Sequence, residues 1–138
     1  MPIDKLTHVF YAFANIRSDG QVYLTDEWAD VQKHFEADSW NESNATARAY
    51  GCINQINKMK KSNRNLKALL SIGGWTYSAN FEGPASSTTG RRRLAKSAIK
   101  LMQDIGFDGI DIDWEYPTDD NQARNLVSLL QELRSVRM

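Results

Sequence analysis

At 138 residues the chain has the length of one ordinary domain, and 41% hydrophobic with 25% charged residues excludes disordered and collagen-like architectures. Seventeen Lys and Arg balance seventeen Asp and Glu, leaving no net positive field to draw in nucleic acid or an anionic membrane. The single cysteine, Cys52, excludes an intrachain disulfide and a cysteine-based zinc site and reads as a small core residue. No apolar run approaches the roughly 18 residues that span a membrane, and Met1-Pro2-Ile3-Asp4-Lys5 is not a secretory signal pattern.

The first element is the apolar and aromatic run Leu6 to Ala14, which predicts a strand buried on both faces of a parallel sheet, with His8 as a satisfied core histidine. Arg17 to Asn44 reads as a long polar connection with an Asp19-Gly20 turn, of the length expected of a binding or lid loop. It holds two glycosylation sequons, Asn41-Glu42-Ser43 and Asn44-Ala45-Thr46. From Ala45 to Ser62, Tyr50, Ile53, Ile56 and Met59 recur at helical spacing.

Leu66 to Ile72 predicts a second strand, stopped by Gly73-Gly74. After Thr89, Leu94, Ala98, Leu101, Met102 and Ile105 share one helical face, and Gly106 is placed to end it. The run Arg91-Arg92-Arg93 opens this helix and reads as a solvated face. Phe107 to Trp114 is a third strand that Pro117 stops, and Leu126, Leu129, Leu130, Leu133 and Val136 mark a closing helix. Strand and helix thus alternate three times, the signature of an α/β chain with parallel βα units. Three such units neither cover both sheet faces nor close a barrel.

The chemistry concentrates in the third strand. Side chains alternate along a strand, so Asp111, Asp113 and Glu115 project to one side and Ile110, Ile112 and Trp114 to the other. A row of carboxyls on one face has no stabilising rationale, and the apolar neighbours require a strand with a buried side. The row therefore marks a functional site. A calcium loop needs glycine at its sixth position and glutamate at its twelfth, which Trp114-Glu115-Tyr116-Pro117 does not provide. The Cα atoms of Asp113 and Glu115 stand only ~6.6 Å apart along the strand, so both acids come from one wall of any cleft. A retaining glycosidase of the ordinary kind needs its two carboxyls on opposite sides of the bond. The nucleophile must then come from elsewhere, the substrate included, and the carbonyl oxygen of a 2-acetamido sugar can serve.

The segment Asp108-Gly109-Ile110-Asp111-Ile112-Asp113-Trp114-Glu115 resembles the DxxDxDxE signature of the family 18 chitinases, extended by Tyr116-Pro117, and Ser71-Ile72-Gly73-Gly74-Trp75 resembles a second signature of that family. Leu6 to Asn15 and Asn63 to Lys67 are similar to the fungal members, so the resemblance covers essentially the whole chain. It implies a partial (β/α)8 TIM barrel of about three parallel βα units, strands two to four of the family's barrel, with residues 1–138 an incomplete catalytic domain. The family's mechanism is a known substrate-assisted exception to the two-carboxylate scheme.

The resemblance implies endo-acting hydrolysis of β-1,4-linked N-acetylglucosamine polymers. Glu115 would be general acid and then base, Asp113 would orient the acetamido group, and Asp111 would share a proton with Asp113. Clustered charge would raise the pKa of Glu115. Asp108, of opposite parity, together with Ser71 and Gly73, is expected to be structural. Gly74 lies beside the acids, and Trp75 and Tyr77 either stack on sugar rings or pack under the loop. Phe13 and Tyr116, at strand ends, belong either to the cleft or to the core. The implied partners are chitin or N-acetylglucosamine oligosaccharides, with no cofactor, metal, nucleic acid or membrane, a monomeric full-length form, and a place outside the cell or in its wall. An endo-N-acetylglucosaminidase and a non-catalytic chitin-binding fragment are the alternatives. Lectins on this fold typically lose the catalytic acid, and Glu115 is present.

Overall fold

Strand β1, His8–Ile16, turns through Asp19 and Gly20 into a short β2, Val22–Leu24. The turn is closed by Arg17 N–H to Gln21 O at 2.8 Å and by Gln21 N–H to Asp19 Oδ1 at 3.0 Å. The two strands pair antiparallel, Ala14 opposite Leu24 and Ile16 opposite Val22. The stretch expected as a long connection therefore opens as a hairpin. It continues into a π-type turn, Trp28–Gln32, closed by Lys33 N–H to Trp28 O at 2.8 Å. The structure, a computed structural model, describes residues 1–36, 38 and 50–136, and the two sequons lie outside these residues.

Helix α1, Gly51–Ser62, leads into β3, Lys67–Gly73, and two short helices, α2 (Gly74–Tyr77) and α3 (Glu82–Ala85), follow it. Helix α4, Thr88–Asp104, starts on a Ser87 cap whose hydroxyl accepts the Gly90 N–H at 3.0 Å, and it ends before Gly106, where φ is +77°. Strand β4, Gly109–Asp113, and helix α5, Asp120–Ser135, are the last elements among the described residues. The sheet order is β2-β1-β3-β4, with β1, β3 and β4 parallel. The α/β reading with three parallel βα units describes the molecule, and β2 is the added antiparallel strand.

The core lies between one face of this sheet and the helices. Ala68, Leu70 and Ile72 of β3 meet Ile53 and Ile56 of α1, Leu94, Ala98 and Leu101 of α4, and Leu129 of α5. The other face is open among the described residues, which corrects the expectation that β1 is buried on both sides. Phe10 pairs with Leu69 in the sheet register and Phe13 follows it, and these side chains remain 56% and 42% exposed. His8 shares the parity of Phe10 and is exposed, its Nδ1 3.0 Å from Thr7 Oγ1, so it is not a core histidine. Cys52 is half-buried on α1 rather than a full core residue. The arginine run is occupied by Arg91 to Ala85 O at 2.8 Å, Arg92 to Glu132 at 3.7 Å and Arg93 to Asp19 at 3.6 Å. No helix among the described residues is long and apolar enough to cross a membrane.

Candidate active site

The carboxyl ends of β3 and β4 build the site. Register pairs Ser71 with Asp111 and Gly73 with Asp113, which sets these four on neighbouring strands at matching heights. The Ser71 hydroxyl donates to Asp111 Oδ2 at 2.7 Å, so Ser71 holds one of the acids directly. Gly73 adopts φ +107°, ψ −99°, where a Cβ would stand 2.4 Å from Asp113 O and 2.5 Å from the Phe81 ring. Only glycine lets β3 turn this close to the acid-bearing strand. Gly74 faces the Phe13 ring, 2.8 Å from where its own Cβ would be. Beneath them Phe81 and Trp114 stack, ring centroids 5.3 Å apart at 17°, and both are buried.

Glu115 leaves the strand just beyond Asp113 and is partly exposed. Its pKa is raised: the hydrogen bond with the Asp113 side chain contributes most, then desolvation, then the Asp113 charge, while a hydrogen bond from Tyr116 works in the opposite direction. The acid form of Glu115 therefore persists to higher pH than in an isolated glutamate. The backbone N–H of Glu115 donates to Ser78 Oγ at 2.7 Å, and this buried hydroxyl donates in turn to Gly74 O at 2.7 Å. A cavity of about 220 Å³ beside Glu115 is lined by Ser78, Glu82, Trp114, Tyr116 and Gln122.

Trp75 and Tyr116 flank the acids, with ring centroids 6.5 Å apart in an edge-on arrangement. They are 75% and 67% exposed, so neither packs in the core or under a loop. Tyr77 is half-buried at the end of α2. Asp108 stands apart from the acid cluster, at the opposite end of β4. Its Oδ2 accepts the Ala68 N–H at 2.8 Å and meets Lys60 Nζ at 2.8 Å, while its own N–H donates to Ala68 O at 2.8 Å. Burial opposes the Asp108 charge, but Lys60 and the Ala68 N–H outweigh it and hold the carboxyl below its ordinary pKa. Asp108 is thus a latch between β3, β4 and α1.

The sequence reading missed Ser78 and Lys60. A serine four residues after Gly74 has no distinguishing pattern, and Lys60 is one lysine among several on α1. Among the described residues, no group of three or more His, Cys, Asp or Glu side chains is arranged to hold a metal ion.

Parallel strands backed by helices, with acids at their carboxyl ends beside exposed aromatic rings, define the chain as part of a (β/α)8 enzyme barrel. Residues 1–137 match the profile of the glycosyl hydrolases family 18, and the chain belongs to that family. Chitinase 1 of Aphanocladium album is 53% identical over 135 residues, which cover 98% of this chain and 31% of that protein. Endochitinase 1 of Metarhizium anisopliae is 52% identical over 134 residues, 97% of this chain and 31% of the relative. The solved structure of chitinase ChiA74 from Bacillus thuringiensis superposes with a TM-score of 0.85 at 27% identity, covering 97% of this chain and 28% of that one. The chain spans about a third of the length of the curated relatives it matches.

Proposed function

We propose that this chain carries the acid-bearing wall of a retaining, endo-acting chitinase that hydrolyses β-1,4-linked N-acetylglucosamine polymers. The observation that carries the reading is Glu115, which follows Asp113 just beyond β4 beside two exposed aromatic rings. A carboxyl whose pKa is raised by its neighbour keeps its proton to higher pH, which suits a general acid. Glu115 protonates the glycosidic oxygen and the leaving sugar departs. The acetamido carbonyl oxygen of the substrate bonds to the anomeric carbon, forming an oxazolinium ion with inversion at that centre. Asp113 accepts the acetamido N–H, which aims the carbonyl and stabilises the positive charge. Glu115, now ionised, removes a proton from water as the water oxygen attacks the anomeric carbon, and the second inversion restores the original configuration.

Asp111, held by Ser71, shares a proton with Asp113 so that the two carboxyls do not ionise together. Trp75, Tyr116 and Phe13 offer faces on which sugar rings stack, with Gly74 and Tyr77 shaping the same rim. The names of the fungal relatives favour chitin over the glycoprotein substrates of an endo-N-acetylglucosaminidase. A purely sugar-binding role has no use for a glutamate whose protonated form is stabilised. An insoluble polymer substrate fits a monomeric enzyme outside the cell or in its wall.

The test replaces Glu115 by Gln in a completed barrel, residues 1–138 joined to the remaining strands of the fungal relative, and follows release from a fluorogenic N-acetylglucosamine oligosaccharide. Glu115→Gln is expected to lower kcat by about 10² to 10⁴-fold with KM little changed. Turnover retained by the variant would overturn the assignment of the acid.

A further inference from the structure

We infer that Ser78 is a positioning residue for the general acid: its buried hydroxyl ties the Glu115 backbone to α2, the short helix that presents Trp75. The inference rests on the function proposed above. Strands β3 and β4 pair only as far as Gly73 and Asp113, because β3 then turns into α2. Past that point the Glu115 N–H has no strand partner on the β3 side, although the sheet continues to hold the residues before it. Ser78 Oγ takes the place of the missing carbonyl, accepting this N–H at 2.7 Å.

A hydroxyl has one proton to give and two lone pairs to offer. At Ser78 the proton goes to Gly74 O at 2.7 Å, with Asp113 O 3.3 Å away as a second, longer acceptor. The side chain is 4% exposed, so water does not compete for these bonds. One oxygen thus joins the first residue of α2, the last residue of β4 and the acid itself. Its bonds run to main-chain atoms of all three, so it sets where the Glu115 backbone lies and, through it, how the carboxyl meets Asp113. Had Ser78 served only to close its own helical turn, the bond to Gly74 O would have sufficed.

The experiment compares Ser78→Ala, Ser78→Cys and Glu115→Gln in the completed barrel, measuring kcat, KM, the pH profile and thermal unfolding. Displacement of a reacting group by about 1 Å lowers rate by about 100-fold, so Ser78→Ala is expected to reduce kcat by about 10 to 100-fold with KM within about threefold. As Glu115 loses its fixed contact with Asp113, the basic limb of the profile should move to lower pH. Should Ser78→Ala fail to fold, Ser78→Cys, which keeps a side chain of similar size and is only a weak acceptor, carries the same expectation. A lowered melting temperature with kcat and the pH limb intact would reduce Ser78 to a structural role and overturn the inference. So would full activity in folded Ser78→Ala or Ser78→Cys beside an inactive Glu115→Gln. Turnover by Glu115→Gln would instead refute the acid assignment itself, and Ser78 would fall with it.

Discussion

Gly73→Ala tests whether the close approach of β3 to the acid-bearing strand is required. At φ +107° and ψ −99° an L-residue lies outside the regions it ordinarily occupies, which costs about 1–3 kcal/mol. The added methyl would also stand 2.4 Å from Asp113 O and 2.5 Å from Phe81 Cε2. The first of these is main chain, and the second belongs to a fully buried ring stacked on Trp114, so neither yields cheaply. Overpacking of this kind adds about 1–3 kcal/mol, for a total of about 2–6 kcal/mol. Gly83→Ala is the matched control: it lies in α3 with open space at its Cβ position and an ordinary φ, and its change should stay within about 1 kcal/mol. Equilibrium urea unfolding of the completed barrel measures both. Because the clash pushes on Asp113, Gly73→Ala should also depress kcat. A Gly73→Ala protein within about 1 kcal/mol of the parent would show that the turn relaxes without involving β4, and the reasoning would be wrong.

Two further outcomes follow from the charges. Asp108 has a folded-state pKa below its ordinary value, so the stability it contributes is present above that ordinary value and disappears as pH falls through the folded one, below about pH 4. Asp108→Ala should destabilise by about 1–2 kcal/mol at neutral pH, solvent screening of this exposed carboxylate included, and by less in acid, whereas Lys60→Met should lose only about 1 kcal/mol or less, all read by urea unfolding at two pH values. Asp113→Asn removes the charge and the carboxyl partner that raise the pKa of Glu115, so the basic limb of the kcat/KM profile should shift to lower pH; a limb that stays or rises would refute that cause.

The row of acids was legible because it rests on parity. Alternation alone put Asp111, Asp113 and Glu115 on one side of a strand and Asp108 on the other; in the structure Asp108 stands apart at the opposite end of β4, latched to Ala68 and Lys60, while Asp111 meets Ser71. Hydrophobic periodicity located α4 and α5 for the same reason, since their apolar faces meet one core. The hairpin strand β2 escaped notice because three residues, Val22 to Leu24, are too few to show alternation amid polar neighbours. Strand β1 misled in the other direction. Its unbroken apolar run speaks of burial on both faces, yet the described residues cover only the face of Ala14 and Ile16 and leave Phe10 and Phe13 open. Pattern reports what a side chain prefers, not which partner meets it.

That difference bears on how the site is divided. The bonds that fix the acids come from nearby chain: Ser71 from β3 holds Asp111, and Ser78 from the turn after α2 holds the Glu115 backbone, with Asp113 beside it at the end of β4. The carboxyl geometry is therefore a product of two adjacent strands and the segment that follows the first of them. Sugar binding is a different matter, because Trp75 and Tyr116 present their rings to open space and nothing among the described residues stands opposite them. Under the proposed function, proton transfer and substrate grip would thus separate along the chain. Substitutions at Ser71, Gly73 or Ser78 should act mainly on kcat, because they move groups whose partners are all local. Under the proposed function, the energy that holds an oligosaccharide in place would draw also on surfaces beyond this pair of rings, and it should respond to changes made elsewhere in a completed barrel without disturbing the acids.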